Sequence, residues 1–183
     1  VVDVVASNLR LPVNLAFVPN AGSRPGDPKF YVAELYGTIR TVANDGTLVT
    51  YATGLLNYTP NGAFPGAGEQ GLTGIAVDPQ SGDVFASMLQ FNAAINANDP
   101  RIVRFHSTDG GRTASSQQTI LAMPGESQGQ SHQISRLEIV NGRAPRAHQA
   151  RGVDLASIVL VHGGFQPDVV GAPRSHVMRL SFR

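Results

Sequence analysis

The chain has 183 residues, of which 42% are hydrophobic and 15% are charged. These proportions are typical of a globular domain and exclude a solvated, disordered tract. The lack of cysteine excludes disulfides, thiolate nucleophiles and cysteine-ligated zinc, and no apolar run approaches the roughly 20 residues of a membrane-spanning helix. The chain starts at Val1 without a charged, apolar leader, so we expect that any targeting segment has already been removed.

Charge is distributed unevenly along the chain. Residues 1–140 hold eight basic and eleven acidic residues, whereas residues 141–183 hold six arginines and only two aspartates. These arginines are scattered and lack the interleaved aromatic residues on which nucleic-acid bases would stack. The sequence therefore argues against a nucleic-acid partner.

Short runs that alternate apolar and polar residues predict a first group of four strands, in residues 11–19, 30–33, 38–42 and 48–51. About sixty residues later the same order recurs in residues 71–79, 83–87, 101–105 and 118–121, with a long loop before the third strand. A third opening strand begins at Ile134. Turn residues separate the runs, and no part of residues 1–140 sustains a helical period.

Four short strands repeated at a fixed period are typical of the blades of a β-propeller. A single blade cannot cover its own apolar face, so each blade packs against the next. The alternative fold is a β-sandwich with two chance similarities. The repeated order of strands and turns favours the propeller.

Three segments give the chain a resemblance to a known family. They are Leu11–Pro19 with Phe30–Arg40, the run Gly68–Pro79, and the run Ser131–Ile139. In this order and spacing they resemble the glucose/sorbosone dehydrogenase family, soluble quinoprotein sugar dehydrogenases built as six-bladed β-propellers. The resemblance covers residues 9–140 and implies an all-β fold: about two and a half blades from the N-terminal portion of the propeller, followed by a divergent C-terminal segment.

The resemblance also implies a function. His132 matches the family's general base, which takes the proton of the sugar's anomeric hydroxyl, and an imidazole has a suitable pKa for this task. Glu69, with Gln70 beside it, matches the segment that contacts the cofactor pyrroloquinoline quinone (PQQ), and Gln133 adjoins the base. The family takes its calcium ligands and its cofactor-clamping Arg and Lys residues from later blades. We therefore expect no metal ligands in this chain, although calcium belongs to the family.

The resemblance further implies a sugar as the small-molecule substrate and a periplasmic or extracellular, secreted protein. Two copies of a three-blade piece could close a six-bladed ring, so a homodimer is a possible assembly. The alternative function is a non-catalytic propeller module that binds a carbohydrate or a protein partner. Binding of PQQ distinguishes the two.

Residues 141–183 depart from the family pattern, because the strand and turn that should complete the third blade are missing after Val140. We therefore divide the chain into propeller blades, residues 1–140, and a divergent tail, residues 141–183. The abrupt change suggests a truncated or frame-shifted gene. Within the tail, residues 155–162 predict a buried strand. The following His162-Gly-Gly164 resembles an oxyanion loop, but the chain contains no Gly-x-Ser-x-Gly elbow, which excludes a hydrolase of that type.

Overall fold

The computed structural model describes residues 2–60, 70–124, 134–142, 155–162 and 177–181, which contain eleven β-strands and no helix. The strands are β1 (Pro12–Phe17), β2 (Pro28–Glu34), β3 (Thr38–Ala43), β4 (Leu48–Ala52), β5 (Leu72–Val77), β6 (Val84–Asn92), β7 (Ala97–His106), β8 (Ser116–Ala122), β9 (Ile134–Gly142), β10 (Leu155–His162) and β11 (Val177–Ser181). The predicted all-β class is confirmed.

The strands form three antiparallel sheets, each in sequence order. β1–β4 make a four-stranded sheet, here blade 1, and β5–β8 make a second, blade 2. β9, β10 and β11 make a three-stranded sheet, blade 3. The opening strands β1, β5 and β9 contact one another in turn, as the innermost strands of neighbouring propeller blades do. The predicted partial β-propeller is therefore present, and its blades follow the repeat in the sequence.

The repeat extends to irregular backbone at the start of each blade. A bulge interrupts the first ladder of every sheet, at Val13 in blade 1, Thr73 in blade 2 and Ser135 in blade 3. A bulge leaves its extra residue outside the ladder and bends the strand. The carbonyl groups near these bulges are therefore available to the neighbouring blade.

A hydrophobic core fills the space between blades 1 and 2. Four of its large members, Tyr31, Ile39, Leu72 and Phe105, are at most 2% exposed. A second core lies between blades 2 and 3, where Ile134 packs with Phe85 and Ile102 and their partners. Full burial of one such large side chain stabilises the fold by about 1.5–3 kcal/mol. Each blade therefore depends on its neighbour for stability.

Polar contacts fix the turn between β7 and β8 onto blade 1. The Tyr31 hydroxyl donates to the Gly111 carbonyl oxygen at 2.8 Å, and Thr41 Oγ1 donates to the Arg112 carbonyl oxygen at 2.9 Å. Asp109 holds the turn itself together by accepting from the backbone amides of Arg112 and Thr113 at 2.9 and 3.0 Å. The turn is thus an inter-blade bridge as well as a hairpin connection.

Two regions differ from a simple interpretation of the sequence. The long loop predicted between residues 87 and 101 is wrong: β6 and β7 continue as a paired hairpin through Asn92 and Ala97. Because this stretch is rich in polar residues, its sequence lacks the apolar alternation that predicts a strand. In the tail, the predicted strand at residues 155–162 is present as β10, and it pairs with β9 and with β11.

Candidate functional site

One end of blade 2 contains Gln70, the predicted site residue that the structure describes. In an antiparallel meander, the starts of the first and third strands and the end of the second lie at the same end of the sheet. Gln70, just before β5, therefore lies at the same end of blade 2 as the turn between β6 and β7. The start of β9 joins this end through direct hydrogen bonds from blade 2.

These bonds converge on one carbonyl group. Thr73 Oγ1 of β5 and Ser87 Oγ of β6 both donate to the Ile134 carbonyl oxygen, at 2.8 and 2.6 Å. Ser87 is 1% exposed and Ile134 is 2% exposed, so the contact is dry. The first residue of β9 is therefore anchored to the inner part of blade 2.

Three of the four predicted site residues, Glu69, His132 and Gln133, lie outside the described residues. His132 precedes the anchored Ile134 by two residues, and Glu69 is bonded directly to Gln70. Of the four, the structure describes only Gln70, which lies just before β5.

Gln70, the fourth predicted residue, is half-buried and hydrogen-bonded. Asn98 Nδ2 of β7 donates to Gln70 Oε1 at 3.2 Å. This bond engages the carbonyl oxygen of the Gln70 amide. Within the described part of the chain its amide nitrogen has no hydrogen-bond partner.

Gly71 explains how Gln70 is held in place. Its φ is +152°, and a Cβ atom there would lie 2.0 Å from the Leu35 carbonyl oxygen of blade 1. The same carbonyl oxygen accepts from the Leu72 amide at 2.9 Å. Only glycine allows this approach of two backbones. The glycine that follows Gln70 in the sequence motif is therefore a requirement of inter-blade packing.

The sequence analysis missed a buried charged pair beside Asn98. Asp99 is 1% exposed and accepts from Asn92 Nδ2 at 2.9 Å. Arg101 Nε lies 3.6 Å from Asp99 Oδ1, an ion pair without a hydrogen bond. The signal was present as Asp99-Pro-Arg101, but it fell within the supposed loop. This pair stiffens the start of β7, from which Asn98 reaches Gln70.

His106 lies apart from these groups, at the opposite end of β7. Its Nδ1 atom is 2.8 Å from Asp83 Oδ1, and its side chain is 53% exposed. Asp83, itself 1% exposed, also accepts from Arg104 Nε at 2.6 Å. His106 therefore belongs to a separate cluster with Asp83 and Arg104. It can serve as a control histidine in experiments on His132.

Two further features are absent from the part of the chain that the structure describes. No group of three or more His, Asp or Glu side chains there is arranged to hold a metal ion. No helix long and apolar enough to cross a membrane is found there either.

Comparison with known proteins places the fold. No family model matches the chain, and no curated protein matches its sequence. Among solved structures, the soluble aldose sugar dehydrogenase of Escherichia coli, in its apo form, is similar with a TM-score of 0.59 and 17% identity over 88% of this chain. A glucose dehydrogenase is similar with a TM-score of 0.56 and 17% identity over 85% of this chain.

The chain spans only part of either solved structure, 40% of the first and 38% of the second. At this level of identity the likeness concerns the backbone arrangement. The expected fold is nevertheless confirmed by the sheet topology and by its similarity to these solved structures. This chain has the fold of a partial β-propeller, similar to part of these two sugar dehydrogenases.

Proposed function

We propose that this chain is a PQQ-dependent oxidoreductase, or a piece of one, that oxidises an aldose at its anomeric carbon. The observation that carries the proposal is the anchoring of Ile134 to Thr73 and Ser87. This contact joins β5, which follows Gln70 in the sequence, to β9, which begins two residues after His132. Fold similarity to two sugar dehydrogenases supports the same interpretation.

The donor chemistry of Gln70 fits a quinone that carries carboxylate groups. Because Asn98 engages the Gln70 carbonyl oxygen, the amide nitrogen is the atom left to face a ligand. An N–H donor binds carbonyl and carboxylate oxygens. Gln70 would hold the cofactor from blade 2, with Glu69 beside it and Gln133 on the blade 3 side. Bound PQQ would supply the two-electron acceptor for the sugar's hydride.

His132 would act on the substrate. Oxidation of an aldose to its lactone removes a hydride from C1 and a proton from the hydroxyl on C1. A neutral imidazole nitrogen of His132 would take that proton, since an unperturbed histidine, with a pKa near 6.5, is largely unprotonated at neutral pH. We expect the rate to rise with pH as the imidazole loses its proton.

The whole reaction requires partners that we assign only as proposals. We propose calcium as an accompanying ion with ligands supplied from outside this chain, and a periplasmic or extracellular location. A second copy closing the ring is also a proposal. It draws support from Val13, Leu15 and Phe17, which are 45%, 50% and 64% exposed on one face of β1. Light scattering tests it, and a monomer at high concentration would contradict it.

The decisive experiment titrates the purified chain with PQQ and calcium, followed by absorbance, and then measures aldose-dependent reduction of a dye. His132→Ala should abolish turnover and leave cofactor binding largely intact. His106→Gln is the matched control, because His106 is bound to Asp83 and lies away from Gln70. It should retain both properties.

The outcomes separate the two functions. Saturable cofactor binding with turnover that depends on His132 supports the dehydrogenase. Binding of sugar without any binding of PQQ would favour the alternative, a non-catalytic carbohydrate-binding module. Turnover that persists in His132→Ala would contradict the assignment of the base.

A further inference from the structure

A groove opens between the outermost strands of blades 1 and 2, where β4 and the start of β8 lie side by side. Its volume is about 390 Å³, which falls within the size range of ligand sites in proteins. Blade 1 contributes residues 50–53 and Leu55, and blade 2 contributes Phe105 and residues 114–117. Gln70, in contrast, precedes the first strand of blade 2. The groove is therefore separate from the site described above.

The floor of the groove is apolar and continuous with the core between the two blades. Tyr51, Leu55 and Phe105 line the groove, are 3%, 6% and 0% exposed, and belong to that core. The rings of Tyr51 and Phe105 meet edge-on with centroids 6.3 Å apart. Rings this buried present no open face for stacking against a sugar. An apolar side chain placed in the groove would instead extend the existing inter-blade core.

The wall on the side of blade 1 is the free edge of a strand. β4 pairs only with β3 in its sheet, and the pairing skips Tyr51. The Tyr51 carbonyl oxygen accepts a hydrogen bond from the Ala114 amide of blade 2 at 2.9 Å. A backbone amide from another segment thus already binds this edge at one point. Exposed strand edges bind extended peptides, because the backbone groups of an added strand pair with those of the edge.

The charge of the groove restricts what it can bind. None of the described residues that line it is charged. Ser116 and Gln117, both exposed on the wall of blade 2, make no side-chain hydrogen bond with another described residue. A charged side chain entering the groove would lose hydration without gaining an oppositely charged partner. The groove therefore complements an uncharged segment whose polar groups are those of its backbone.

We propose that this groove binds an extended, uncharged peptide segment of a partner protein, which adds to the free edge of β4 as a further strand of blade 1. Successive side chains of a strand point to opposite faces. One apolar side chain of the segment would contact Leu55 and Phe105, and its neighbours would face solvent. The proposal goes beyond the proposed function and does not depend on it, because none of these residues belongs to that site.

The first test uses a displayed library of short linear peptides, selected on the full chain and then measured individually by fluorescence anisotropy. Gln117→Glu and Gln118→Glu make the same isosteric change at neighbouring exposed residues of β8, and of the two only Gln117 lines the groove. We expect Gln117→Glu to weaken binding about tenfold, because a carboxylate adds a charge and cannot donate a hydrogen bond. Gln118→Glu should bind as wild type does.

The second test examines whether the peptide binds as a strand. In a β-ladder only alternate residues point their N–H groups toward a given neighbour. Methylation of the backbone nitrogens of alternate peptide residues should therefore abolish binding in one register and have little effect in the register shifted by one residue. Equal effects in both registers would overturn the strand addition.

Other occupants of the groove give different results. Binding of a neutral oligosaccharide such as maltotriose that Gln117→Glu abolishes, without any peptide binding, would replace the peptide by a carbohydrate. Self-association in light scattering that Gln117→Glu abolishes would identify a second copy as the occupant. A selection that yields no peptide sensitive to Gln117→Glu would also refute the proposal. If Gln117→Glu does not fold, Thr53→Glu on the opposite wall gives the same comparison.

Discussion

Tyr31 and Tyr51 make a matched pair for testing how the blade interface is stabilised. Both are buried, 2% and 3% exposed, and their rings meet edge-on with centroids 4.9 Å apart. The Tyr31 hydroxyl donates to the Gly111 carbonyl oxygen at 2.8 Å, whereas the buried Tyr51 hydroxyl has no partner among the described residues. Substitution by phenylalanine removes one hydroxyl from each and preserves ring packing.

The two substitutions should have opposite effects on the free energy of unfolding. Tyr31→Phe loses a hydrogen bond and leaves the Gly111 carbonyl group unpaired, which should cost about 1.5 kcal/mol. Tyr51→Phe removes a buried hydroxyl that makes no hydrogen bond among the described residues. The substitution should therefore be neutral or stabilise the protein by up to about 1 kcal/mol. For a chain of this size, the combined difference corresponds to a separation in Tm of roughly 4–8 °C.

Urea denaturation and calorimetry of wild type, Tyr31→Phe and Tyr51→Phe measure this difference at neutral pH. Equal destabilisation by both substitutions would refute the reasoning, because it would show that the Tyr51 hydroxyl also makes a favourable bond. A stabilising Tyr31→Phe would show that the bond to Gly111 contributes nothing.

Alkaline pH provides a second check on the same residues. Burial, and then the charge of Asp109, raise the pKa of Tyr31 to about 12, and burial raises the pKa of Tyr51 even more. Unfolding restores the ordinary pKa near 10, so the unfolded state loses protons first. Stability should therefore fall from about pH 10 upward. Each phenylalanine variant should lose less stability over this range than wild type.

Three further predictions concern single side chains. Asp83→Asn should lower the free energy of unfolding by about 2 kcal/mol, because Arg104 loses its buried carboxylate partner. Urea denaturation measures this free energy, and an unchanged value would contradict the prediction. Hydrogen bonds to the Asp109 carboxylate outweigh desolvation and lower its pKa to about 2. Its contribution should therefore be lost as pH falls from about 4 to about 2, and Asp109→Asn should weaken this acid dependence in denaturation curves. Asn98→Asp should reverse the orientation of the Gln70 amide group, since a carboxylate accepts hydrogen bonds and cannot donate one to Gln70 Oε1. We expect PQQ binding, measured by absorbance titration, to weaken about tenfold. Unchanged binding would exclude Gln70 as a hydrogen-bond donor to the cofactor.

The sequence by itself predicted the elements that depend on local pattern. Alternating runs and turn residues located β1–β5, β8 and the start of β9, because a strand with one buried face alternates apolar and polar residues in the sequence. The sixty-residue repeat then predicted the blades. The all-β class and the partial propeller follow from these two observations alone.

Local pattern was insufficient where polar side chains lie within paired strands. Gln90, Asn92 and Asp99 make the ends of β6 and β7 resemble a loop, yet these residues pair across a continuous hairpin. Asn92 compensates part of the Asp99 charge by a hydrogen bond, which no periodicity reveals.

The contact between blades 2 and 3 was decided only by tertiary structure. The sequence proposed Glu69, Gln70, His132 and Gln133 from resemblance, with 61 or more residues between the two groups, and these four remain a prediction. The contact of β5 with the start of β9 depends on the bulge at Thr73, whose hydroxyl binds the Ile134 carbonyl group beside Ser87. Hydrogen bonds between residues distant in sequence form only after the blades pack, since packing excludes the water that would otherwise compete for the same donors and acceptors.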